Sequence, residues 1–331
     1  MKLDARLAHL ETLVAQSLTL WDLPEGAAAR LINVSENTTY LVEAPCGFKA
    51  VLRVHRQGYH SARAIESELS WLAALRQDSP VVTPKVIFGR NGDAVQTNAL
   101  AVLPCPQRMV MFEHIAGEAP REAGDLVPDF HELGVLAAHC HTHALGWQRP
   151  DGFERMHWDV PAVFGESATW GDWRDAPGVD TDVRALLEKV EEVVRSRLAA
   201  YGSHPSRFNL IHADMRLANL IIGSDGTRVI DFDDCGFGWL MYDFAAAISF
   251  FEDDPRIPDL KTAWLRGYRS VRALSPADED EIDTFIMLRR MALLAWIGSH
   301  IEAPEPQALA PDFARVTAEL GRNFLARLPN T

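Results

Sequence analysis

The chain has 331 residues, 47% of them hydrophobic and 24% charged, enough for one large or two ordinary domains with a real core. Its 46 acidic against 32 basic residues leave a formal net charge of −14. That field opposes nucleic acid and anionic membrane surfaces, and it suits a cationic or neutral small molecule. No apolar run approaches a membrane span, and Cys46, Cys105, Cys140 and Cys235 lack any paired C-x-x-C spacing. This argues against a disulfide framework or zinc site and makes the cytoplasm the expected compartment.

Leu3, Leu7, Leu10 and Val14 are interleaved with charges, which predicts an amphipathic helix over 1–16 rather than a signal peptide. Ala29 to Val34 and Thr38 to Glu43 alternate like strands around the polar turn Asn33-Val34-Ser35-Glu36-Asn37. That turn either lays backbone N–H groups over phosphates or is an ordinary hairpin turn. Phe48 to His55 predicts a third strand with Lys49, Val51 and Arg53 on one face. Ala50-Val51-Leu52-Arg53 parallels the V-A-I-K strand whose lysine holds nucleotide phosphates, so either Arg53 or Lys49 would do that work here.

Ser61 to Gln77 predicts a helix capped by Ser61, with Glu66 and Glu68 in its first half. Pro80 to Phe88, Gln96 to Leu103 and Met109 to Ile115 predict further strands, after which helical periodicity takes over. Residues 1–115 therefore read as a strand-rich lobe and 116–331 as a helical one. In the second part, Pro128 to Thr142 predicts a helix with Phe130, Leu133, Leu136 and Ala137 on one face. His131, His139, His141 and His143 cluster on it, but no acid completes a zinc pattern, so ordinary histidines are the better reading. Trp147 to Asp182 has no readable period, and Asp182 to Tyr201 predicts an amphipathic helix. Gly236-Phe237-Gly238 opens a loop, and helices are expected at Leu240 to Phe251, Asp259 to Val271, Pro276 to Ile297 and Ala308 to Leu328. Asp243 reads as a cap or a buried anchor for the loop before it.

The chemistry concentrates between Leu210 and Asp234. His212, Asp214 and Asn219 form H-x-D-x-x-x-x-N, and Asp231-Phe232-Asp233 follows a hairpin signal in which Ser224-Asp225-Gly226 is the turn. The hairpin folds the chain back and gathers three oxygen-bearing side chains at one end of a small sheet. Hard cations such as Mg²⁺ take such ligands together with substrate phosphates. A carboxylate for the acceptor hydroxyl, with a carboxylate and an amide for the metal, is a recurring division of labour in phosphoryl transfer.

This order of parts resembles the aminoglycoside phosphotransferase and choline kinase-like family, which shares the protein-kinase fold. Within it, the chain looks most like the bacterial stress-response kinases and type II homoserine kinases. The resemblance runs from about residue 30 onward. It implies a bilobal α+β fold and an ATP- and Mg²⁺-dependent kinase acting on a hydroxyl of a small molecule. That acceptor would be an amino alcohol, or homoserine-like or aminoglycoside-like. A Ser/Thr protein kinase with a protein substrate, and a pseudokinase without turnover, stand as alternatives. By position, Asp214 would face the acceptor hydroxyl, Asn219 and Asp231 would bind metal, and Arg216 would neutralise the phosphoryl group. Glu68 would pair with the strand cation, Ser35, Asn37 and Thr38 would lie in the phosphate loop, and Glu113, His114 and Ile115 would form the adenine hinge. Three departures stand out: Ala213 precedes Asp214 in place of Gly or Arg, Asp233 replaces the Gly of D-F-G, and Arg53 replaces the strand lysine.

Overall fold

The computed structural model describes residues 3–35, 37–120, 124–223 and 226–328. Met1 and Lys2 of the first expected helix, Glu36 of the phosphate turn, and Ser224 and Asp225 of the hairpin turn lie outside them. The chain forms two compact units. One comprises Met1–Gln77, Val82–Gly117 and Arg149–Glu154; the other comprises Asp78–Val81, Glu118–Gln148 and Arg155–Thr331. The fold is α+β, as expected.

The first unit is an antiparallel sheet with a helix on it. Helix α1 (Leu3–Ser17) buries Leu10, Leu13 and Val14 against the inward-facing residues of β1 (Ala28–Val34), β2 (Thr38–Glu43) and β3 (Lys49–Val54). Tyr40 and Val42, and Ala50, Leu52 and Val54, face this core by the strand period of two. Burying one such leucine contributes about 1.5–3 kcal/mol. Helix α2 (Ala62–Asp78) follows, then β4 (Val86–Ile87), β5 (Val95–Asn98) and β6 (Gln107–Glu113). The sheet order is β1-β2-β3-β6-β4, with β5 also on β6. The strands expected over Pro80–Phe88 and Gln96–Leu103 are thus much shorter. Two prolines, Pro80 and Pro84, lack the N–H a ladder needs.

In the second unit, α3 (Val127–Gly146) crosses α7 (Ile257–Val271) at paired glycines. A Cβ on Gly134 would stand 2.0 Å from Trp264 O, and one on Gly267 would stand 1.9 Å from His131 O. Only glycine permits that approach. The stretch without readable period contains β7 (Met156–Trp158) and α4 (Val160–Phe164), and α5 (Thr181–Tyr201) follows. Next come β8 (Phe208–Ile211), the hairpin β9 (Leu220–Gly223) and β10 (Gly226–Val229), and β11 (Gly236–Trp239).

Strand β11 corrects the expected loop at Gly236–Gly238. It lies between β7 and β8, and its glycines admit close neighbours: a Cβ on Gly236 would meet Met156 O at 2.4 Å, and one on Gly238 would meet Ile211 Cδ1 at 2.5 Å. The helix expected over Leu240–Phe251 is only α6 (Tyr242–Ala247), ending before Phe250, whose φ is 78°. The expected helix Pro276–Ile297 is two, α8 (Pro276–Asp280) and α9 (Ile282–Ser299). The last, α10 (Pro304–Arg327), starts before the expected Ala308 and runs through Pro311.

Candidate active site

Strand β8 delivers the chain to His212, which is fully buried. Its Nδ1 accepts from the Asp214 N–H at 3.2 Å, so the proton resides on Nε2, which donates to Ile230 O at 3.1 Å. Burial lowers its pKa and keeps the ring neutral. His212 thus ties the loop that enters the hairpin to Ile230, just past its second strand.

Ala213 has φ 65°, a left-handed conformation that costs a residue with a Cβ of order 1 kcal/mol. Asp243 holds it there: Oδ1 accepts from Ala213 N at 2.7 Å and Oδ2 from His212 N at 3.1 Å. The same Oδ2 lies 3.0 Å from His141 Nε2, and His141 Nδ1 lies 3.0 Å from the Tyr268 hydroxyl. Burial by itself would raise the Asp243 carboxyl, but the His141 bond, the neighbouring histidines and Ala213 N–H together hold it below the usual range. Of the two readings of Asp243, the buried anchor is the observed one. His141, from the cluster on α3, is its partner, and among the described residues no group of His, Cys, Asp or Glu forms a metal cluster.

Asp214 is engaged at both oxygens. Asn219 Nδ2 donates to Oδ2 at 2.8 Å and to the Asp214 carbonyl at 2.8 Å. Arg216 Nε stands 3.3 Å from Oδ2, and its Nη1 stands 3.7 Å from Glu305 Oε1 at the start of α10. The negative charge of Asp214 beside it raises the Arg216 pKa. The Arg216 guanidinium also lies 5.3 Å from the ring centroid of Phe250. On the other side, Arg289 Nη2 donates to Oδ1 at 2.8 Å. Arg289 is a functional candidate that the sequence reading missed. The available signal was a pair of arginines, Arg289-Arg290, inside the apolar run of α9, because a charge in such a helix must find a partner.

The hairpin brings Asp231 to this loop. Leu220 pairs with Val229, and Ile230 N donates to Asn219 O at 2.9 Å, which leaves Asp231 one residue beyond that tie. Asp231 has φ 59°, a second strained residue at the same place. Because Asn219 spends its amide nitrogen on Asp214, its Oδ1 is the atom turned to other partners, a hard oxygen next to a carboxylate. This donor set fits a magnesium ion shared with phosphates. The segment after Asp231 is strapped by β7 and the residue before it: Arg155 donates to the carbonyls of Asp233 and Cys235, and Trp158 Nε1 donates to Asp234 O at 2.7 Å.

In the first unit, Arg53 Nη2 reaches Glu68 Oε1 and Oε2 at 2.8 and 2.7 Å, with side chains 7% and 1% exposed. Glu66, the other acid of α2 weighed for this role, is exposed. Lys49 is half exposed and pairs with Glu43 at 3.2 Å. In the turn before β2, Ser35 N donates to Asn37 O at 2.9 Å, and the buried Asn37 accepts from Arg56 N through Oδ1 at 3.1 Å. Thr38 opens β2, paired with Val34 and Val54. Glu113 ends β6, its N–H on Lys85 O at 2.8 Å; His114 is exposed and Ile115 half-buried.

The fold and this loop define a phosphotransferase enzyme. The chain belongs to the phosphotransferase enzyme family, APH, whose model matches residues 29–274. A solved microcompartment-associated aminopropanol kinase is 45% identical, with a TM-score of 0.88, covering 95% of this chain and 97% of that one. The amicoumacin kinase solved with AMP-PNP, Ca²⁺ and amicoumacin is 19% identical, with a TM-score of 0.78 and 96% of each chain covered. An uncharacterized Synechocystis protein is 21% identical over 295 residues, 84% of this chain and 76% of its own length. The likeness to the amicoumacin kinase shows the fold alone. Among the described residues no helix is long and apolar enough to cross a membrane.

Proposed function

We propose that this chain transfers the γ-phosphoryl group of ATP to the hydroxyl of a small amino alcohol. The observation that carries the acceptor class is the 45% identity, over 95% of the chain, with an aminopropanol kinase. Residues 1–115 carry the nucleotide side of the reaction and 116–331 the acceptor side. Arg53, oriented by Glu68, carries phosphate charge; its burial and pairing support it over the exposed Lys49. Ser35, Asn37 and Thr38 lie along the phosphates, and Glu113, His114 and Ile115 meet the base.

Asp214 orients the acceptor hydroxyl and takes its proton, and Arg216 faces the charge of the moving phosphoryl group. Asn219 and Asp231 hold magnesium, which when bound neutralises charge on the phosphates. The rest of the catalysis is positioning, with no covalent intermediate. The −14 net charge favours an acceptor bearing an ammonium group.

The test is a screen of aminopropanol, other amino alcohols, homoserine, aminoglycosides and a protein lysate for ATP- and magnesium-dependent phosphorylation, with Asp214→Ala as control. Turnover of an amino alcohol that falls by on the order of 10²-fold or more in Asp214→Ala, with nucleotide binding kept, is the expected result. Label appearing only in lysate protein, or undiminished turnover in the variant, overturns the reading.

A further inference from the structure

Arg289 belongs to no part of the catalytic stretch, yet it touches the carboxylate at its centre. It sits in the middle of α9, 2% exposed, with Nη2 on Asp214 Oδ1 at 2.8 Å and Nε donating to Ser249 Oγ at 3.1 Å. The rings of Trp158, Trp170 and Tyr242 surround the guanidinium, their centroids 6.0, 5.3 and 5.8 Å from its carbon. A cation this deep is costly to desolvate, and only such partners offset the cost.

The neighbouring Arg290 shows what a purely structural arginine looks like in the same helix. It is also 2% exposed. It pairs with Glu252, donates to Thr317 Oγ1 at 2.8 Å and stands 3.4 Å from the centroid of the Phe313 ring. Successive helical residues point about 100° apart, so one arginine is sent to Asp214 and the next to α10.

A carboxylate has about four lone-pair positions. Arg289 occupies one on Oδ1 and Asn219 one on Oδ2. With both oxygens pinned, the carboxylate cannot rotate about its last torsion, and its remaining lone pairs keep a fixed direction. We propose that Arg289 is a positioning residue for the phosphoryl transfer, setting the rotation of the Asp214 carboxylate toward the acceptor hydroxyl. This rests on reading Asp214 as the acceptor-facing group.

Arg289→Met and Arg290→Met, compared in steady-state kinetics, melting and crystal structures, test it. In folded protein, Arg289→Met is expected to lower kcat by on the order of 10²-fold, the scale of a misplaced reacting group, with KM for the nucleotide unchanged. Arg289→Lys, a cation without the planar fork, should restore part of the loss. Arg290→Met should lower the melting temperature and leave kcat alone. Equal kcat in the two methionine variants overturns the proposal. So does a crystal structure of Arg289→Met in which the Asp214 carboxylate keeps its wild-type orientation. The crystal structure needs no acceptor, so it decides this inference even if the wild type phosphorylates no amino alcohol. If a methionine variant does not fold, Arg289→Lys and Arg290→Lys carry the same comparison.

Discussion

In the first unit, Arg53 Nη2 reaches both oxygens of the Glu68 carboxylate, and the two side chains are sealed together at 7% and 1% exposure. In the second, Asp214 meets two guanidiniums and an amide and keeps 15% of its side chain exposed. The first arrangement buries a cation together with the carboxylate it grips. The second surrounds a carboxylate with more positive charge than it carries, and leaves an edge open. Burial of both partners fixes a pair in place; a carboxylate held by several donors at 15% exposure keeps an open edge.

That contrast predicts unequal sensitivity. The largest stability effect should come from Asp243, which anchors the Asp214 loop: Asp243→Ala leaves two backbone N–H groups and His141 Nε2 without their partner and should cost about 3–5 kcal/mol, read by denaturant unfolding. The same anchor has a pH signature. Its folded pKa lies below the unfolded value of about 3.9. Its contribution is therefore complete above that value and lost as the pH falls through the folded one. Wild type should show an acid-destabilised limb below about pH 4, weaker in Asp243→Asn; an identical limb in both would assign it to other carboxylates.

Next in size, Glu68→Gln takes away the carboxylate charge that Arg53 Nη2 grips at both oxygens. It should cost about 2–3 kcal/mol and raise KM for the nucleotide more than it lowers kcat. A loss confined to kcat would break the comparison, because it would place the pair with the acceptor chemistry. The smallest effect belongs to Lys49, whose pair with Glu43 is half in water. Lys49→Ala should change stability by less than about 1 kcal/mol and leave the nucleotide KM unmoved. A large rise in KM would transfer the phosphate role from Arg53 to Lys49.

Much of the fold was legible from local pattern. Strands β1 to β3, α2, α3 and α5 follow periods of two or 3.6 because each has one face in a core. The pattern failed where burial was set by close approach, as at Gly236 and Gly238, or on every side, as in α9, which offers no polar stripe. It failed again at Leu240–Phe251, where apolar composition promised a longer helix than the turn at Phe250 allows.

By itself the sequence determined the kind of chemistry. Asp214 and Asn219 stand five residues apart and Asp231 follows one hairpin later, so local geometry alone brings the three to neighbouring places on the backbone. Only the tertiary structure decided what holds them. Arg289 is 75 residues from Asp214, and His141 is 102 from Asp243. Such partners share no period or spacing with what they touch. They meet because α6 packs against both α3 and α9 in a buried interior, and a charge placed there is stable only against another charge or hydrogen-bonding group brought by a distant part of the chain.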